Sequence, residues 1–240
     1  SKATCIKMDW LKDVFPEEVK EGEICKYDVG TKRVVGAMVT RFMDLELKSK
    51  FTQNIPKDQA ALVLANAVIK HKLKLKGWNS KCDSWLRRVD CVRRGCPELG
   101  LPKFNEEDRE LIINEVCRGS LSYKEIKELE VWPFLKVWLS ADQRSLIESL
   151  APKKIMLSNG REIKIIYEES GPKISIVLQK LYDVMSSPTI CNGKVSVLIE
   201  ILGPNHRPVQ RTEDLKGFWE SSYPEIKKQL RGRYPKHEWR

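Results

Sequence analysis

The sequence has no stretch that would place the chain in or across a membrane. No run approaches the roughly 18 to 20 uninterrupted apolar residues that a membrane-spanning helix needs. The first ten residues, SKATCIKMDW, also lack the charged-then-apolar layout of a signal peptide. We therefore expect a soluble chain that is not exported and has no membrane partner. Its hydrophobic content of 41% is enough to build a buried core.

Cysteine is present, but in a pattern that supports neither disulfides nor a metal site. Seven cysteines stand at irregular spacing, and an odd number leaves one unpaired. Reduced thiols in an intracellular compartment, either cytoplasm or an organelle, fit this pattern better than a disulfide framework. Cys82, Cys91 and Cys96 are candidate zinc ligands, yet no C-x-x-C pair accompanies them. We expect no metal ion.

The familiar catalytic motifs are also missing. The three histidines are scattered, so no H-E-x-x-H motif forms, and there is no G-x-S-x-G sequence. Gly193-Lys194 resembles the end of a phosphate-binding loop, but position 188 is proline instead of glycine and Val195 replaces the required serine or threonine. We expect neither a catalytic site nor a cofactor in this chain.

Positive charge is what the sequence has in excess. The formal net charge is +10 and the isoelectric point is near 9.2, which favours an anionic partner such as nucleic acid. The charge is uneven: residues 70–94 hold nine basic and two acidic side chains, whereas residues 95–150 hold seven basic and eleven acidic ones. The chain is therefore expected to present one strongly positive region.

Periodicity predicts an α+β fold in three segments. Residues 1–55 are β-rich, with two strands around a turn at 29–32. Residues 56–150 form a helical domain of about five helices. The first helix spans 57–76, starts after Asn54 or Pro56 and ends at Gly77. The others cover 80–94 and begin at three capping residues, Asn105, Ser122 and Ser140. The first helix has an apolar stripe, which comprises Leu62, Ala65, Ile69 and Leu73.

Residues 151–240 are predicted to form a compact α+β domain built from two β-hairpins and helices. Asn159-Gly160 suits a type I′ turn in the first hairpin, and residues 173–185 have helical spacing. A second hairpin follows, with its turn at 203–205. Thr212 is expected to cap a closing helix, and Pro224 to begin a last helix through Leu230.

Arginine-rich and lysine-rich stretches are the candidate nucleic-acid contacts. In the helix over 80–94, Arg87, Arg88 and Arg94 fall outside the apolar stripe and Arg93 lies near its edge, where guanidinium forks suit phosphate oxygens. Trp85 either stacks on a base or packs inside. Lysines in the last turns of the helix over 57–76 are also placed where a helix dipole prefers cations. The full set of candidate contacts is Arg87, Arg88, Arg93, Arg94, Lys72, Lys74, Lys76, Arg231, Arg233, Lys236 and His237.

The chain resembles the HrpB family of bacterial DExH-box ATP-dependent helicases. The resemblance is most specific in RPVQRTEDLKGFWESSYPEIKKQLRGRYPKHEW, residues 207–239, and in LAPKKIMLSNGREIKIIYEESGP, residues 150–172. It is weaker over 78–149, where it rests on WLRRV, CPELG and WLSADQRSLIESLAP. Over 1–55 it is faint and rests mainly on KYDVGTKRVVGAMVTRF.

The resemblance implies an accessory C-terminal region whose ATP-hydrolysing motor domains would precede residue 1. ATP and Mg²⁺ would then be used by those motor domains in cis, and residues 1–55 would be the end of an oligonucleotide-binding-like barrel. No catalytic residue carries over. Two functions remain: a module that holds RNA or another single strand against the motor, or a module that docks on the motor or on another protein without touching RNA.

The tail RGRYPKHEWR, residues 231–240, also has two interpretations. In one, Gly232 ends the last helix, Pro235 stiffens the exit, and Tyr234 and Trp239 fold back onto the domain as an anchor. In the other, Arg231, Arg233, Lys236 and His237 line an RNA path. The two are compatible if the rings face inward and the charges outward.

Overall fold

The structure of the chain is a computed structural model, which describes residues 6–52 and 55–240. The helices are α1 (Met8–Val14), α2 (Lys57–Lys70), α3 (Ser80–Gly95), α4 (Glu106–Cys117), α5 (Tyr123–Ile126), α6 (Trp132–Lys136), α7 (Ala141–Leu150), α8 (Leu215–Gly217) and α9 (Tyr223–Arg233). The strands are β1 (Val19–Asp28), β2 (Arg33–Phe42), β3 (Leu45–Thr52), β4 (Lys154–Met156), β5 (Glu162–Lys164), β6 (Ile166–Glu168), β7 (Gly171–Val177), β8 (Thr189–Ile190), β9 (Val195–Ser196), β10 (Leu198–Leu202) and β11 (Pro208–Thr212). The α+β class is confirmed.

One compact unit comprises the described residues of Ser1–Asn79 and Asn105–Leu135. Its sheet has the order β1-β2-β3, and both strand pairs are antiparallel. The predicted strand, turn and second strand over 24–47 are present, although β2 ends at Phe42 and β3 was not predicted. Helix α2 packs on β1, β2 and α4. The buried Val34, Ala37 and Val39 of β2 belong to the core of this unit.

The other compact unit comprises Ser80–Phe104 and Lys136–Arg240. Its main sheet has the order β11-β10-β7-β6, with β10 and β7 parallel and the other pairs antiparallel. Two small ladders, β4-β5 and β8-β9, complete the strands. Helix α3 packs against β6 and α7. The two compact units thus have other bounds than the three predicted segments. The boundaries of those segments stay a prediction.

The predicted helix over 57–76 is wrong at its C-terminal end. α2 starts at Lys57 with Pro56 as its N-cap, whereas Asn54, the other predicted start, lies outside the described residues. The helix stops at Lys70, because Lys72 takes a left-handed conformation with φ 49°. The amide of Leu73 then donates to the Val68 carbonyl at 2.9 Å, which closes a Schellman motif.

The apolar stripe of α2 also differs from the prediction. Leu62 is 53% exposed, and Ile69 and Leu73 are only partly buried. The buried positions are Ala60, Ala61, Leu64, Ala65, Ala67 and Val68. The small alanine side chains allow α2 to pack closely against both the sheet and α4. The buried face of α2 is therefore rotated about the helix axis relative to the predicted stripe of Leu62, Ala65, Ile69 and Leu73.

Gly77 has a role other than the predicted helix stop. A Cβ at this position would lie 1.7 Å from the carbonyl oxygen of Leu129. The Gly77 carbonyl also accepts a hydrogen bond from the Val131 amide at 3.4 Å. Glycine is therefore required here by close backbone approach, and not by helix termination.

The predicted helix over 173–185 is wrong. These residues form most of β7, followed by a 3₁₀ turn at Leu178–Lys180. In GPKISIV the apolar residues fit the two-residue period of a strand as well as the period of a helix. Every second residue, Pro172, Ile174 and Ile176, is buried in the structure. Parallel pairing with β10, whose residues come about 25 positions later, decides between the two periods.

Local signals at the turns and caps were confirmed at some positions only, since the side chain of Ser122, a third predicted capping residue, accepts no capping hydrogen bond from α5. Asn105 and Ser140 both form complete capping boxes. The hairpin turns at Asn159-Gly160 and Gly203 are present, but only Gly160 of the first pair has a positive φ, so the turn is not type I′. Asp214, and not Thr212, caps the closing helix.

The last helix is longer than predicted. α9 begins at Tyr223 and continues through Gly232 to Arg233, with Tyr234 as its C-cap. Gly232 therefore does not end the helix. Among the described residues, no helix is both long and apolar enough to cross a membrane.

Candidate nucleic-acid interface

Arg88 of α3 is the most deeply buried of the predicted contact residues. Its side chain is 2% exposed. Nε donates to the carbonyl oxygen of Ala151 at 2.7 Å, and Nη2 donates to Oε2 of Glu148 at 2.8 Å. The hydrogen bond from Arg88 lowers the pKa of the Glu148 carboxyl. The prediction that Arg88 lies outside the buried stripe is wrong, because α7 and the residue after it supply partners for an interior guanidinium.

The remaining arginines of α3 are more exposed, but most are already paired. Arg93 and Arg94 share the carboxylate of Asp90, at 2.7 Å and 2.9 Å. Arg94 also donates to the Glu169 carbonyl at 3.1 Å. Arg87 is exposed, and its Nη1 lies 3.5 Å from the Tyr167 carbonyl, which is long for a hydrogen bond. Arg87 is therefore the α3 arginine that is least engaged.

Trp85 of α3 packs inside the unit. It is 3% exposed, and the Arg88 guanidinium lies 5.5 Å from the centre of its ring. This position decides between the two sequence interpretations, since a ring with so little exposure has no face on which a base could stack. Of the residues that the sequence predicts for the apolar stripe of α3, Cys82, Val89 and Val92 are buried, whereas Leu86 is half-buried.

Three lysines follow α2 on an irregular segment. Lys72, Lys74 and Lys76 are exposed. Lys76 forms an ion pair with Glu128 at 2.7 Å, whereas Lys72 and Lys74 have no ion pair within residues 6–52 and 55–240. The backbone of the segment is held in place, because the Tyr123 hydroxyl donates to the Lys74 carbonyl at 2.7 Å. The sequence predicted these lysines in the last turns of a helix. In the structure they follow the end of α2 instead.

The end of α9 and the residues after it carry exposed cations. Arg231, Arg233, Lys236 and His237 are all exposed. In the part of the chain that the structure describes, the side chains of Arg231, Arg233 and Lys236 form no ion pair. The imidazole of His237 lies edge-on to the ring of Tyr234, with 6.0 Å between ring centres. The positive charges of Arg231, Arg233 and Lys236 are therefore presented to solvent without a carboxylate partner among the described residues.

The tail is fixed mainly by its backbone and last side chain. The Tyr182 hydroxyl donates to the Glu238 carbonyl at 3.0 Å, and the Tyr223 hydroxyl donates to the Arg240 carbonyl at 2.7 Å. The Arg240 guanidinium also pairs with Asp183 and lies 5.0 Å from the centre of the Tyr182 ring. Burial raises the pKa of the Tyr223 phenol above its usual range.

Trp239 contributes less than the sequence suggested. Its indole Nε1 donates to the Tyr234 carbonyl at 3.0 Å, so it closes the tail on itself and remains half-buried. Tyr182, Asp183 and Arg240 hold the tail, and none of the three was predicted to do so. Nothing in the local pattern could have identified them, because the partners lie 56 and 57 positions apart in the chain.

The predicted contact residues thus fall into separate groups. Lys72, Lys74 and Lys76 belong to one compact unit, and the α3 arginines and the tail to the other. Within the latter unit, α3 contacts β6 and α7, whereas the tail is bonded to Tyr182, Asp183 and Tyr223. The two sets therefore have different neighbours.

The buried cysteines have the properties of structural thiols. Cys91, Cys96 and Cys191 are at most 5% exposed. Burial raises the pKa of the Cys91 thiol, and raises that of Cys191 to about 12. Thiols that resist ionisation are poor nucleophiles and poor metal ligands. No group of His, Cys, Asp or Glu side chains suited to a metal ion occurs in the described part of the chain.

Comparison with known proteins gives the class and then the family. Residues 113–240 match the family model described as "ATP-dependent helicase C-terminal". The matched region is more than half of the chain. The protein therefore belongs to the HrpB family of ATP-dependent helicases, and the chain corresponds to a C-terminal region of that family.

One curated relative is the "ATP-dependent RNA helicase HrpB" of Escherichia coli (strain K12). The two sequences are 25% identical over 242 residues, which cover 99% of this chain and 30% of the relative. The chain thus spans about a third of the length of the protein that it matches.

Two solved structures share the fold. The crystal structure of E. coli DExH-box NTPase HrpB matches 98% of this chain with a TM-score of 0.74 and 24% identity, over 30% of its own length. The crystal structure of Escherichia coli DEAH/RHA helicase HrpB matches 93% of this chain with a TM-score of 0.67 and 24% identity, over 29% of its length.

Proposed function

We propose that this chain is the RNA-binding C-terminal region of an ATP-dependent, DExH-box helicase. It holds single-stranded RNA beside motor domains in cis, and those motor domains use ATP and Mg²⁺. Family membership supports the helicase assignment, and the relative is named for RNA. The observation that carries RNA binding is the set of exposed, uncompensated cations at Arg231, Arg233 and Lys236 on an anchored tail.

Anchoring matters because the cations would otherwise lose side-chain and backbone freedom on binding. α9 ends at Arg233, and the backbone beyond it is fixed at Glu238 and Arg240. A phosphate that docks between these points therefore meets charges whose positions are already restricted. Cations near a helix C-terminus also interact favourably with the helix dipole, so the arrangement costs the fold little.

The test is the salt dependence of RNA binding. Single-stranded RNA should bind the wild-type chain more weakly as ionic strength rises, because counterions are released on binding. Changing Arg231, Arg233 and Lys236 to Gln should flatten the slope of log K against log[salt] by roughly 2, at about 0.7 per lost phosphate contact.

A charge-matched control separates specific contacts from net charge. The triple variant Lys12→Gln, Arg118→Gln and Lys216→Gln loses an equal number of positive charges. These three side chains already form ion pairs, with Glu21, Glu115 and Glu220 respectively. It should keep the wild-type slope to within about 0.5. A wild-type chain that does not bind RNA at 50 mM salt, or equal slopes for both triple variants, would refute the proposal.

A second candidate function, docking on the motor domains, is favoured by β3. Leu47 and Phe51 project from the side of the sheet that holds the buried Val39 and Ala37 of β2, yet they are 37% and 83% exposed. α2 packs on β1 and β2, whereas Leu47 and Phe51 lie on β3. Exposed apolar side chains on the same side of a sheet as buried core residues are typical of a surface that another protein covers.

Mixing this chain with a separately produced motor half tests docking directly. Phe51→Ser and Leu47→Ser should weaken the association, measured by sedimentation, while leaving the salt slope for RNA unchanged. Leu111→Ser on α4, a residue that is 64% exposed, serves as the control for loss of an exposed apolar side chain. Equal association of all three variants would exclude this surface.

A further inference from the structure

A pocket of about 310 Å³ brings together an arginine, a lysine and a histidine that are far apart in the sequence. Arg161 enters from the turn before β5, Lys180 from the 3₁₀ turn after β7, and His206 from the turn between β10 and β11. Ile163, Ile176 and other apolar side chains also line it. The volume lies at the lower end of the range typical of small-ligand sites, about 300 to 1,000 Å³, and so suits one nucleotide unit.

The backbone that carries Arg161 and Lys180 is fixed by Asn159. Its Nδ2 donates to the carbonyl oxygens of Lys180 and Tyr182, at 3.0 Å each. Its Oδ1 accepts from the Arg161 amide at 3.3 Å. One side chain thus ties the β4-β5 turn to the turn after β7, and this sets the spacing of the two cations before any ligand arrives.

His206 is held by its own turn. The residue has a φ of 60°, a left-handed conformation that is uncommon for residues other than Gly, although Asn, Asp and His adopt it more often than most. The amide of His206 donates to the Gly203 carbonyl at 2.9 Å, and the Arg207 amide donates to Oδ1 of Asn205 at 3.2 Å. A backbone conformation that costs energy and carries a polar side chain into a pocket is of the kind found at binding sites.

The pocket is electrostatically positive. Within the described ranges, the side chains of Arg161, Lys180 and His206 form no ion pair or hydrogen bond. The carboxylate that lines the pocket, Glu162, pairs with Lys154. The carboxylate of Glu162 is thus neutralised by a lysine that does not line the pocket. The guanidinium of Arg161, the ammonium of Lys180 and the imidazole of His206 can therefore bind an anion.

We propose that this pocket binds a phosphate group of a single-stranded nucleic acid. The guanidinium fork of Arg161 donates to the two non-bridging phosphate oxygens, and the Lys180 ammonium and the His206 imidazole donate to the remaining lone pairs of the same two oxygens. The apolar floor then lies against the adjoining sugar or base. This inference rests on the proposed function, since it names a second place where the RNA strand contacts the chain.

The test is a double variant in the 240-residue chain, with a single-stranded oligoribonucleotide as the probe. Arg161→Gln with Lys180→Gln should lower the affinity at 50 mM salt about 100-fold, at roughly 10-fold for each of the two charge-assisted contacts that are lost. It should also flatten the salt slope by about 0.7, because the two cations contact one phosphate group. Both side chains are exposed, so the melting temperature should stay at the wild-type value.

Three further variants sharpen the result. Arg118→Gln with Lys216→Gln removes two equally exposed cations from helix surfaces and should leave affinity and slope unchanged. Arg161→Lys with Lys180→Arg keeps both charges and should restore the slope. His206→Asn, which tolerates the same backbone conformation, should weaken binding by a few-fold.

The outcomes distinguish the two proposals. If the wild-type chain does not bind the probe, the proposed function fails, and this inference fails with it. If the wild-type chain binds and the Arg161 and Lys180 double variant keeps its affinity and slope, the pocket is not a contact, whereas RNA binding by the chain stands. An equal loss in the Arg118 and Lys216 control would also overturn the pocket, because net charge would then explain the effect.

Discussion

Replacing Arg88 tests the reassignment of this residue from an RNA contact to an interior structural group. Arg88→Met keeps most of the side-chain volume but removes every hydrogen-bond donor. The Ala151 carbonyl, 2.7 Å from Nε, would then lose a buried partner. Leaving a buried acceptor unpaired costs about 1–3 kcal/mol.

The ion-pair partner contributes less to the loss. Glu148 is 52% exposed, so its carboxylate can regain water when the guanidinium is gone. Partly exposed pairs of this kind are worth about 0.2–1 kcal/mol. The imperfect fit of methionine adds less than about 1.5 kcal/mol. We therefore expect a total loss of about 3 kcal/mol, at the lower end of the 3–5 kcal/mol that breaking a fully buried pair costs.

The assay is urea unfolding followed by circular dichroism, with Arg87→Met as the control. Arg87 is an exposed neighbour on the same helix, and its loss should change stability by no more than about 0.5 kcal/mol. The m-value should be equal for both variants, so the midpoint reports stability directly. Equal midpoints for the two variants would refute the interior role. A flatter RNA salt slope for folded Arg88→Met would restore Arg88 as a phosphate contact.

Three further changes test other parts of the structure. Gly77→Ala should cost at least about 2 kcal/mol in urea unfolding, because the new Cβ would lie 1.7 Å from the Leu129 carbonyl oxygen, and an unaltered midpoint would contradict that approach. Tyr223→Phe removes the 2.7 Å hydrogen bond to the Arg240 carbonyl, so limited proteolysis should release the tail sooner and stability should fall by about 1 kcal/mol. The lowered pKa of Glu148 means that its ion pair stabilises the fold above the ordinary glutamate range and is lost as pH falls through the folded value; Glu148→Gln should therefore reduce the fall in stability on acidification, and an unchanged pH profile would count against it.

Features of the fold that depend on neighbouring residues were predictable. Asn105 forms its capping box with Asp108, only three positions later, so the start of α4 could be located from the sequence. The hairpin turn at Asn159-Gly160 is likewise a short-range signal. β7 was mistaken for a helix because its residues satisfy both periods, and the parallel partner that selects the strand lies in β10.

The candidate site was less predictable because charge alone does not report pairing. The excess of positive charge in residues 70–94 is real, but Arg93 and Arg94 share one carboxylate and Lys76 has another. Arg88 finds its partner 60 positions later. By contrast, Arg161, Lys180 and His206 stand in stretches of ordinary composition. Only the fold of the sheet brings them to one pocket.

Whether a cation already has a carboxylate partner determines which measurement its substitution should change, the stability of the fold or the salt slope of RNA binding. A cation that already has a carboxylate partner inside the protein must give up that pair to bind a phosphate, so the net gain from binding is small and its loss appears mainly in stability. A cation without such a partner contributes its full electrostatic attraction to the ligand, and its loss appears in the salt slope while stability is unchanged. Arg88 and Arg161 should therefore behave oppositely in the two assays, although both are single arginines in the same compact unit. Similar behaviour of the two would mean that ion pairing within the protein does not govern which cations bind the strand.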